Sequence, residues 1–133
     1  MMPAGKYYVG DLCYVMRPQW NEFCDITISD NQVLDGEFNL KNGVRFATFG
    51  TMHGDGSYED NFGNSYSVDA GLIGCILVSD IDDPKAEENF PLGCIHEFDA
   101  PFIPSSENGK IWFEQVCINT DWNDDPEDEE DDE

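Results

Sequence analysis

Polar side chains that could do chemistry lie in or beside the predicted turns of this chain. A thiol beside an imidazole and a carboxylate can serve as nucleophile, base and orienting group. Carboxylates on neighbouring turns can instead bind a hard cation such as calcium, which takes oxygen ligands from flexible loops. The candidate cluster consists of Asp11, Cys13, His53, Asp55, Tyr58 and Asp69. One hypothesis is therefore a small-ligand or metal-dependent enzyme built on His53, Asp55 and Asp69.

The spacing within this cluster favours ordinary turn chemistry over a metal site. In DGSYEDNFGNSY the sixth position is Asp60 rather than Gly and the twelfth is Tyr66 rather than Glu, which breaks the helical calcium-loop pattern. Asp, Asn and Gly are also the residues that turns prefer for their backbone geometry. With two histidines and no closely spaced cysteine pair, a structural zinc site is not expected. We predict no metal and no cofactor.

A catalytic role for Cys13 or His96 is also weakly supported by their sequence contexts. Cys13 lies in the apolar run LCYVM, where a thiol is typically packed and un-ionised. His96 alternates with Ile95 and Glu97, which indicates a half-exposed histidine on a strand. We therefore predict binding without catalysis.

The charge of the chain is strongly negative, with 29 acidic against six basic residues and a formal net charge of -23. Such a chain repels nucleic-acid phosphates and anionic membranes, and it favours a basic protein as its partner. The internal acidic cluster that could contact this partner is Asp80, Asp82, Asp83, Glu87 and Glu88. We expect a small accessory or regulatory protein that binds a basic partner, with no direct nucleic-acid or membrane binding.

Two other uses of the acidic residues stay open. The carboxylates could imitate DNA phosphates and inhibit a nucleic-acid enzyme, but a duplex carries one charge per ~1.7 Å of axis, so a mimic needs a long two-track array. The internal cluster is short, and a solubilising surface accounts for it as well. Residues 121–133 are predicted to be a disordered acidic tail after a globular domain at 1–120, serving either as a docking arm or for solubility.

The cysteines and the termini indicate a reducing, intracellular environment. An odd number of widely spaced cysteines favours free thiols, and Cys13, Cys75 and Cys117 each lie in an apolar run. The first residues contain no apolar core long enough for a signal peptide, and no window approaches the ~20 apolar residues of a membrane helix. A cytoplasmic location is expected.

Short alternating apolar segments separated by Gly, Asn and Asp indicate a mainly β, single-domain protein. We predict an antiparallel meander that forms a sandwich or partly open barrel, with one short helix near residues 18–26. Asn42-Gly43 predicts a two-residue hairpin turn with positive φ at both positions. The apolar run 72–79 predicts a central strand that is covered on both faces. Residues 12–16 and 110–118 are each predicted to be one strand, and residues 100–109 a loop.

Three short motifs resemble those of a family of small, uncharacterised β-rich proteins from bacteria and their phages. They are GD-x-CYV at residues 10–15, GDG-x-Y at 54–58 and VDAG-x-IG at 68–74. The resemblance covers about the first two thirds of the chain and leaves out the acidic tail. It implies a β-rich fold and a phage or viral origin with a host factor as partner, and it brings no established activity.

Overall fold

The computed structural model describes residues 1–29 and 32–120, so the predicted acidic tail at 121–133 lies outside the described residues. The strands are β1 (Gly5–Gly10), β2 (Ile28–Ser29), β3 (Gln32–Val33), β4 (Gly36–Asn39), β5 (Arg45–Gly50), β6 (Gly56–Glu59), β7 (Ser65–Val68), β8 (Leu72–Leu77), β9 (Cys94–Phe98), β10 (Ser105–Glu107), β11 (Lys110–Phe113) and β12 (Val116–Asn119). The helices are α1 (Trp20–Thr27) and α2 (Ala86–Asn89), with 3-10 turns at Leu12–Tyr14, Arg17–Gln19, Val78–Asp80 and Phe90–Leu92. The predicted mainly β fold with antiparallel sheets and a short helix is confirmed.

Two layers of antiparallel strands form the body of the molecule. The central sheet has the order β4-β5-β8-β1-β9. The second layer, called the outer layer here, contains the β6–β7 hairpin and the three-stranded sheet β10-β11-β12, which are joined by a bridge between Asp60 and Ile118. Within the described residues no helix is long and apolar enough to cross a membrane.

Alternate residues of the central strands pack into two separate cores. In β1, Tyr7 and Val9 face the inner core between the central sheet and the outer layer, while Tyr8 faces the helical core on the other side. In β8, Ile73 and Cys75 face the inner core while Leu72 and Ile76 face the helical core. The predicted central strand is therefore confirmed for Leu72–Leu77, because β8 lies in the middle of the sheet with both faces covered, while Val78 and Ser79 belong to a 3-10 turn.

The helical core is built on α1, which follows the 3-10 turn that contains Pro18. The Trp20 and Phe23 rings stack at 4.5 Å between centroids, and Phe23 stacks on Phe46 of β5 at 5.0 Å. Aromatic pairs of this kind add to the stabilisation that apolar burial gives. The short helix predicted near residues 18–26 is confirmed.

Residues 12–16 do not form the predicted strand, because Leu12–Tyr14 form a 3-10 turn. The Asp11 Oδ1 atom accepts a hydrogen bond from the Cys13 amide at 2.9 Å, which caps the turn. The amides of Val15 and Met16 then donate to the Leu12 carbonyl. The apolar side chains still reach the core, but local side-chain capping replaces ladder hydrogen bonds.

Residues 110–118 form the β11–β12 hairpin and not one strand. Glu114 and Gln115 make its two-residue turn, and Glu114 has a φ of 56°. In one continuous strand every second residue would face the inner core. Here the second and third of the four inward residues are instead three positions apart, which marks the turn. The four are Ile111, Phe113, Val116 and Ile118.

Two Asn-Gly pairs form two different hairpin turns. At residues 40–44 the Gly43 amide donates to the Leu40 carbonyl at 2.9 Å, and Leu40 donates to the Val44 carbonyl at 2.8 Å. Asn42 does not have positive φ and Gly43 does, at 94°, so the loop has three residues with a glycine bulge and the predicted two-residue turn is wrong. The turn with two positive φ values lies instead at Asn108 (54°) and Gly109 (83°), inside the region predicted to be a loop.

Replacing Gly43 with valine should lower the free energy of unfolding by about 1–3 kcal/mol, because a β-branched side chain is strained at positive φ. Lys41→Val is the matched control, since Lys41 is exposed in the same loop and has no positive φ. Chemical denaturation measures both effects. Equal denaturation midpoints for the two variants would contradict this turn geometry.

Candidate functional site

The structure brings three of the predicted cluster residues together around the buried carboxylate of Asp11. Its Oδ2 atom accepts hydrogen bonds from the amides of Asp69 at 2.7 Å and Ala70 at 2.6 Å, in addition to the bond from Cys13 to Oδ1. These bonds connect the end of β1 to the turn that precedes β8. Asp11 thus braces two chain segments that are far apart in sequence.

The thiol of Cys13 is poorly suited to act as a nucleophile in this setting. Burial, followed by the nearby charge of Asp11, raises the pKa of Cys13 far above its ordinary value. A cysteine reacts as a thiolate, which requires a lowered pKa. Burial and the neighbouring Asp11 carboxylate therefore keep the Cys13 thiol protonated and neutral.

Of the other predicted cluster residues, His53 and Asp55 lie on the loop between β5 and β6, and Tyr58 lies in β6. His53 and Asp55 are exposed, while the buried Tyr58 donates its hydroxyl hydrogen to the Gly54 carbonyl at 2.9 Å. Thr51 donates its amide to the Gly71 carbonyl at 3.0 Å, so this loop lies beside the turn of Asp69. Among the described residues, no group of three or more His, Cys, Asp or Glu side chains is placed to hold a metal ion.

The predicted partner-binding residues share one segment, residues 78–90, which we call the acidic segment. Asp82, Glu87 and Glu88 are exposed and Asp80 is half-buried. Asp83 differs, because its side chain is buried and its two oxygens accept from the Arg17 guanidinium at 3.0 and 3.1 Å.

The Arg17 ion pair gives Asp83 a structural role. Its Oδ1 atom also accepts from the Lys85 amide at 3.0 Å, which fixes the start of the turn that leads into α2. The hydrogen bonds from Arg17 hold the pKa of Asp83 below its ordinary value despite its burial. The other four predicted partner-binding carboxylates are exposed or half-buried, so they remain accessible to a partner.

A cleft of about 300 Å³ opens along the acidic segment. Five apolar residues and two carboxylates contribute to its lining. The lining residues are Val78, Ile81, Asp83, Pro84, Ala86, Glu87 and Phe90. Lys85 lies on the same segment but does not line the cleft.

A second polar arrangement, which sequence reasoning did not identify, connects Asp60, Tyr66 and His96. Both oxygens of the buried Asp60 carboxylate are occupied: Oδ1 accepts from the amides of Phe62 and Asn64, and Oδ2 accepts from Asn64 Nδ2 and the Tyr66 hydroxyl. The Tyr66 hydroxyl oxygen lies 2.6 Å from Asp60 Oδ2 and 2.9 Å from His96 Nε2. This chain of bonds joins the β6–β7 hairpin to β9 of the central sheet.

The hydrogen positions in this network follow from its geometry. A tyrosine hydroxyl has one hydrogen, and the short bond to the charged acceptor Asp60 uses it. His96 must then carry its hydrogen on Nε2 and donate to the Tyr66 oxygen. The His96 side chain is 14% exposed. Its predicted position on a strand is confirmed, but it is more buried than the predicted half-exposed histidine.

Burial and hydrogen bonding set the charges of the network. Burial alone would raise the pKa of Asp60, but the bonds from Tyr66, Asn64 and Phe62 outweigh it, and the pKa lies below its ordinary value. Burial lowers the pKa of His96, although the charge of Asp60 acts in the opposite direction. At neutral pH the network therefore contains one carboxylate, a neutral tyrosine and a neutral histidine.

Compared with protein-family models, with curated proteins and with solved structures, the chain matches none of them. The resemblance carried by the three short motifs stays a prediction.

Replacing Tyr66 with phenylalanine should lower the free energy of unfolding by about 1–3 kcal/mol, because Asp60 Oδ2 loses a donor and His96 Nε2 loses its acceptor. Tyr14→Phe is the control, since the Tyr14 hydroxyl makes no hydrogen bond within the described residues. The comparison uses urea denaturation at neutral pH. A Tyr66 variant as stable as the Tyr14 variant would show that the network contributes nothing to folding.

Stability should fall as the pH drops below about 6.5, before carboxylates begin to titrate. In the unfolded chain His96 takes up a proton near its ordinary pKa of 6.5. In the folded protein its pKa is lowered, so it takes up the proton only at lower pH. Because the unfolded state binds more protons in this range, acid favours unfolding. Thermal melts of His96→Gln should show a smaller loss between pH 6.5 and 5. His53→Gln is the control. If the stability of His96→Gln depended on pH in the same way as that of the parent protein, His96 would not be the group responsible.

Proposed function

We propose that this protein is a non-catalytic accessory or regulatory protein that binds a basic protein partner at the cleft of the acidic segment. The observation that carries the proposal is the composition of that cleft. Five apolar residues and the carboxylates of Asp83 and Glu87 line it, and no basic side chain does. This arrangement complements a lysine or arginine side chain, whose apolar stem packs on apolar surface while its charged end stays near water and an anion.

The apolar residues of the cleft lining suit the stem of such a side chain. Val78, Ile81 and Phe90 supply apolar contact area, and an aromatic face also attracts a cation. Phe90 packs beside Tyr8 with ring centroids 5.7 Å apart, so its position is fixed by the helical core. A partner side chain would therefore meet a preformed surface.

Arg17 shows how this segment accommodates a guanidinium group. Its Nε and Nη2 atoms donate to the two oxygens of Asp83 in the side-by-side arrangement that is typical of arginine-carboxylate pairs. Because Arg17 already occupies Asp83, a partner would use the exposed carboxylates of Asp82, Glu87 and Glu88.

The net charge supports a basic partner over nucleic acid. Charges of the same sign repel at the distances over which partners approach, and this repulsion slows association with phosphate backbones. Opposite charges increase the association rate and set specificity for the right partner. The excess of acidic residues thus increases the rate at which a basic partner approaches, and the cleft holds the partner once it is in contact.

A peptide of arginine residues separated by glycines should bind the protein, and D82N/E87Q/E88Q should weaken this binding roughly tenfold, as expected for three exposed ion pairs. E97Q/D99N/E114Q is the matched control, because it removes the same charge from another exposed region. Fluorescence anisotropy at low and high salt measures both affinities. Equal losses for the two variants would indicate attraction by net charge alone and would remove the cleft from the proposal.

The same preparation should not bind duplex DNA. If a labelled duplex bound directly, the electrostatic basis of the proposal would fail. If the protein instead displaced DNA from a basic DNA-binding enzyme without binding DNA itself, the partner would be of the kind that the DNA-mimic hypothesis expects.

A further inference from the structure

Strand β9 lies at the end of the central sheet and pairs with β1 on one side only. Within the described residues no strand lies beyond it, and the backbone hydrogen bonds outside the strand ladders include none from Cys94–Phe98. The outward N–H and C=O groups of an edge strand can pair with another chain. Apart from the Ile95 carbonyl, which accepts from the Cys94 thiol at 3.8 Å, the outward backbone donors and acceptors of β9 are therefore open among the described residues.

The surface beside this edge has both apolar and acidic character. Ile95 is 36% exposed, which offers an apolar contact on the strand itself. A cleft of about 200 Å³ runs between the end of β9 and the turn of the β11–β12 hairpin. Its lining includes three carboxylates and no basic side chain: Glu97, Phe98, Asp99, Ala100, Glu114 and Gln115.

We propose that β9 receives an extended basic segment of a partner protein as an added edge strand. Backbone pairing with β9 would supply affinity, and basic side chains of the segment would lie against Glu97, Asp99 and Glu114 to supply specificity. The surface shares no lining residue with the acidic-segment cleft, so the inference does not depend on the function proposed there.

Charge complementarity selects this occupant over two others. A second copy of the chain would bring its own acidic edge against the first, and like charges on adjacent strands are destabilising. Residues 121–133 contain no lysine or arginine and cannot pair with the three carboxylates. Ile95 and Glu97 lie on the same face of β9. A segment with basic side chains on that face therefore pairs with the backbone and the carboxylates, and the apolar stems of those side chains can pack on Ile95.

The test uses a synthetic peptide of alternating lysine and valine, with a control peptide in which prolines replace the valines and prevent strand pairing. The alternating peptide should bind at least several-fold more tightly than the proline peptide. On binding, amide hydrogen exchange should slow in Cys94–Phe98 and stay unchanged in Gly36–Asn39, the strand at the opposite edge of the central sheet.

E97Q/D99N/E114Q should weaken binding of the alternating peptide roughly tenfold, whereas D82N/E87Q/E88Q should change it little. The ranking is the reverse of that expected for the glycine-spaced arginine peptide, so the two proposals fail separately. Equal binding of the proline peptide, or slowed exchange at Gly36–Asn39 in place of Cys94–Phe98, would overturn the inference. Self-association of the protein at β9, detected by sedimentation, would also overturn it.

Discussion

Both faces of β1 and β8 are buried, and the other layers of the molecule follow from that constraint. A strand with two apolar faces must be covered twice, and here the outer layer covers one face while α1 and the 3-10 turns cover the other. Close approach of strands is part of this packing: a Cβ atom at Gly74 would overlap the Ala47 carbonyl oxygen of β5. The central pair therefore determines where every neighbouring segment must pack.

Three buried carboxylates hold the covering segments on this frame. Asp11 fixes the turn before β8, Asp60 closes the β6–β7 hairpin and connects it through Tyr66 to His96, and Asp83 holds the acidic segment to Arg17. Buried charges are tolerated only where hydrogen bonds or an opposite charge compensate for lost hydration. Each of the three meets that condition, so part of the acidic composition serves the fold and cannot be counted as binding surface.

The elements that were predictable from sequence are those with strong local patterns. The apolar run of β8, and α1 after the 3-10 turn that contains Pro18, follow from burial and backbone geometry that a short window contains. Asn42-Gly43 predicted a hairpin correctly but not its loop, because a type I turn with a glycine bulge and a type I′ turn accept the same two residues. The two-residue form lies at Asn108-Gly109, where the prolines and the glycine of residues 100–109 suggested a loop. The turn that Asp11 caps after β1 could not be predicted from the apolar pattern either, because a side-chain hydrogen bond replaces strand pairing there.

The polar sites were harder to predict because they depend on contacts between distant residues. Asp60 and His96 are 36 positions apart, and only the packing of the outer layer on the central sheet brings Tyr66 between them. The inward interval in β11–β12, from Phe113 to Val116, was visible in the sequence and would have revealed the turn that places Glu114 near β9. A pattern of single residues can thus report a turn, but it cannot report which strand the turn will face.

Exposed carboxylates at an open sheet edge repel a second acidic copy of the chain and attract a basic strand. An edge strand tends to pair with copies of itself, and proteins commonly prevent this with charged side chains near the edge. At β9 the charges of Glu97, Asp99 and Glu114 oppose a second acidic copy, yet the same charges attract a basic strand. Because the backbone groups of the edge are the same in both cases, the side-chain charges decide which chain can pair. An acidic surface that maintains solubility and an acidic surface that selects a basic partner are therefore the same physical feature, and they differ only in what approaches the edge.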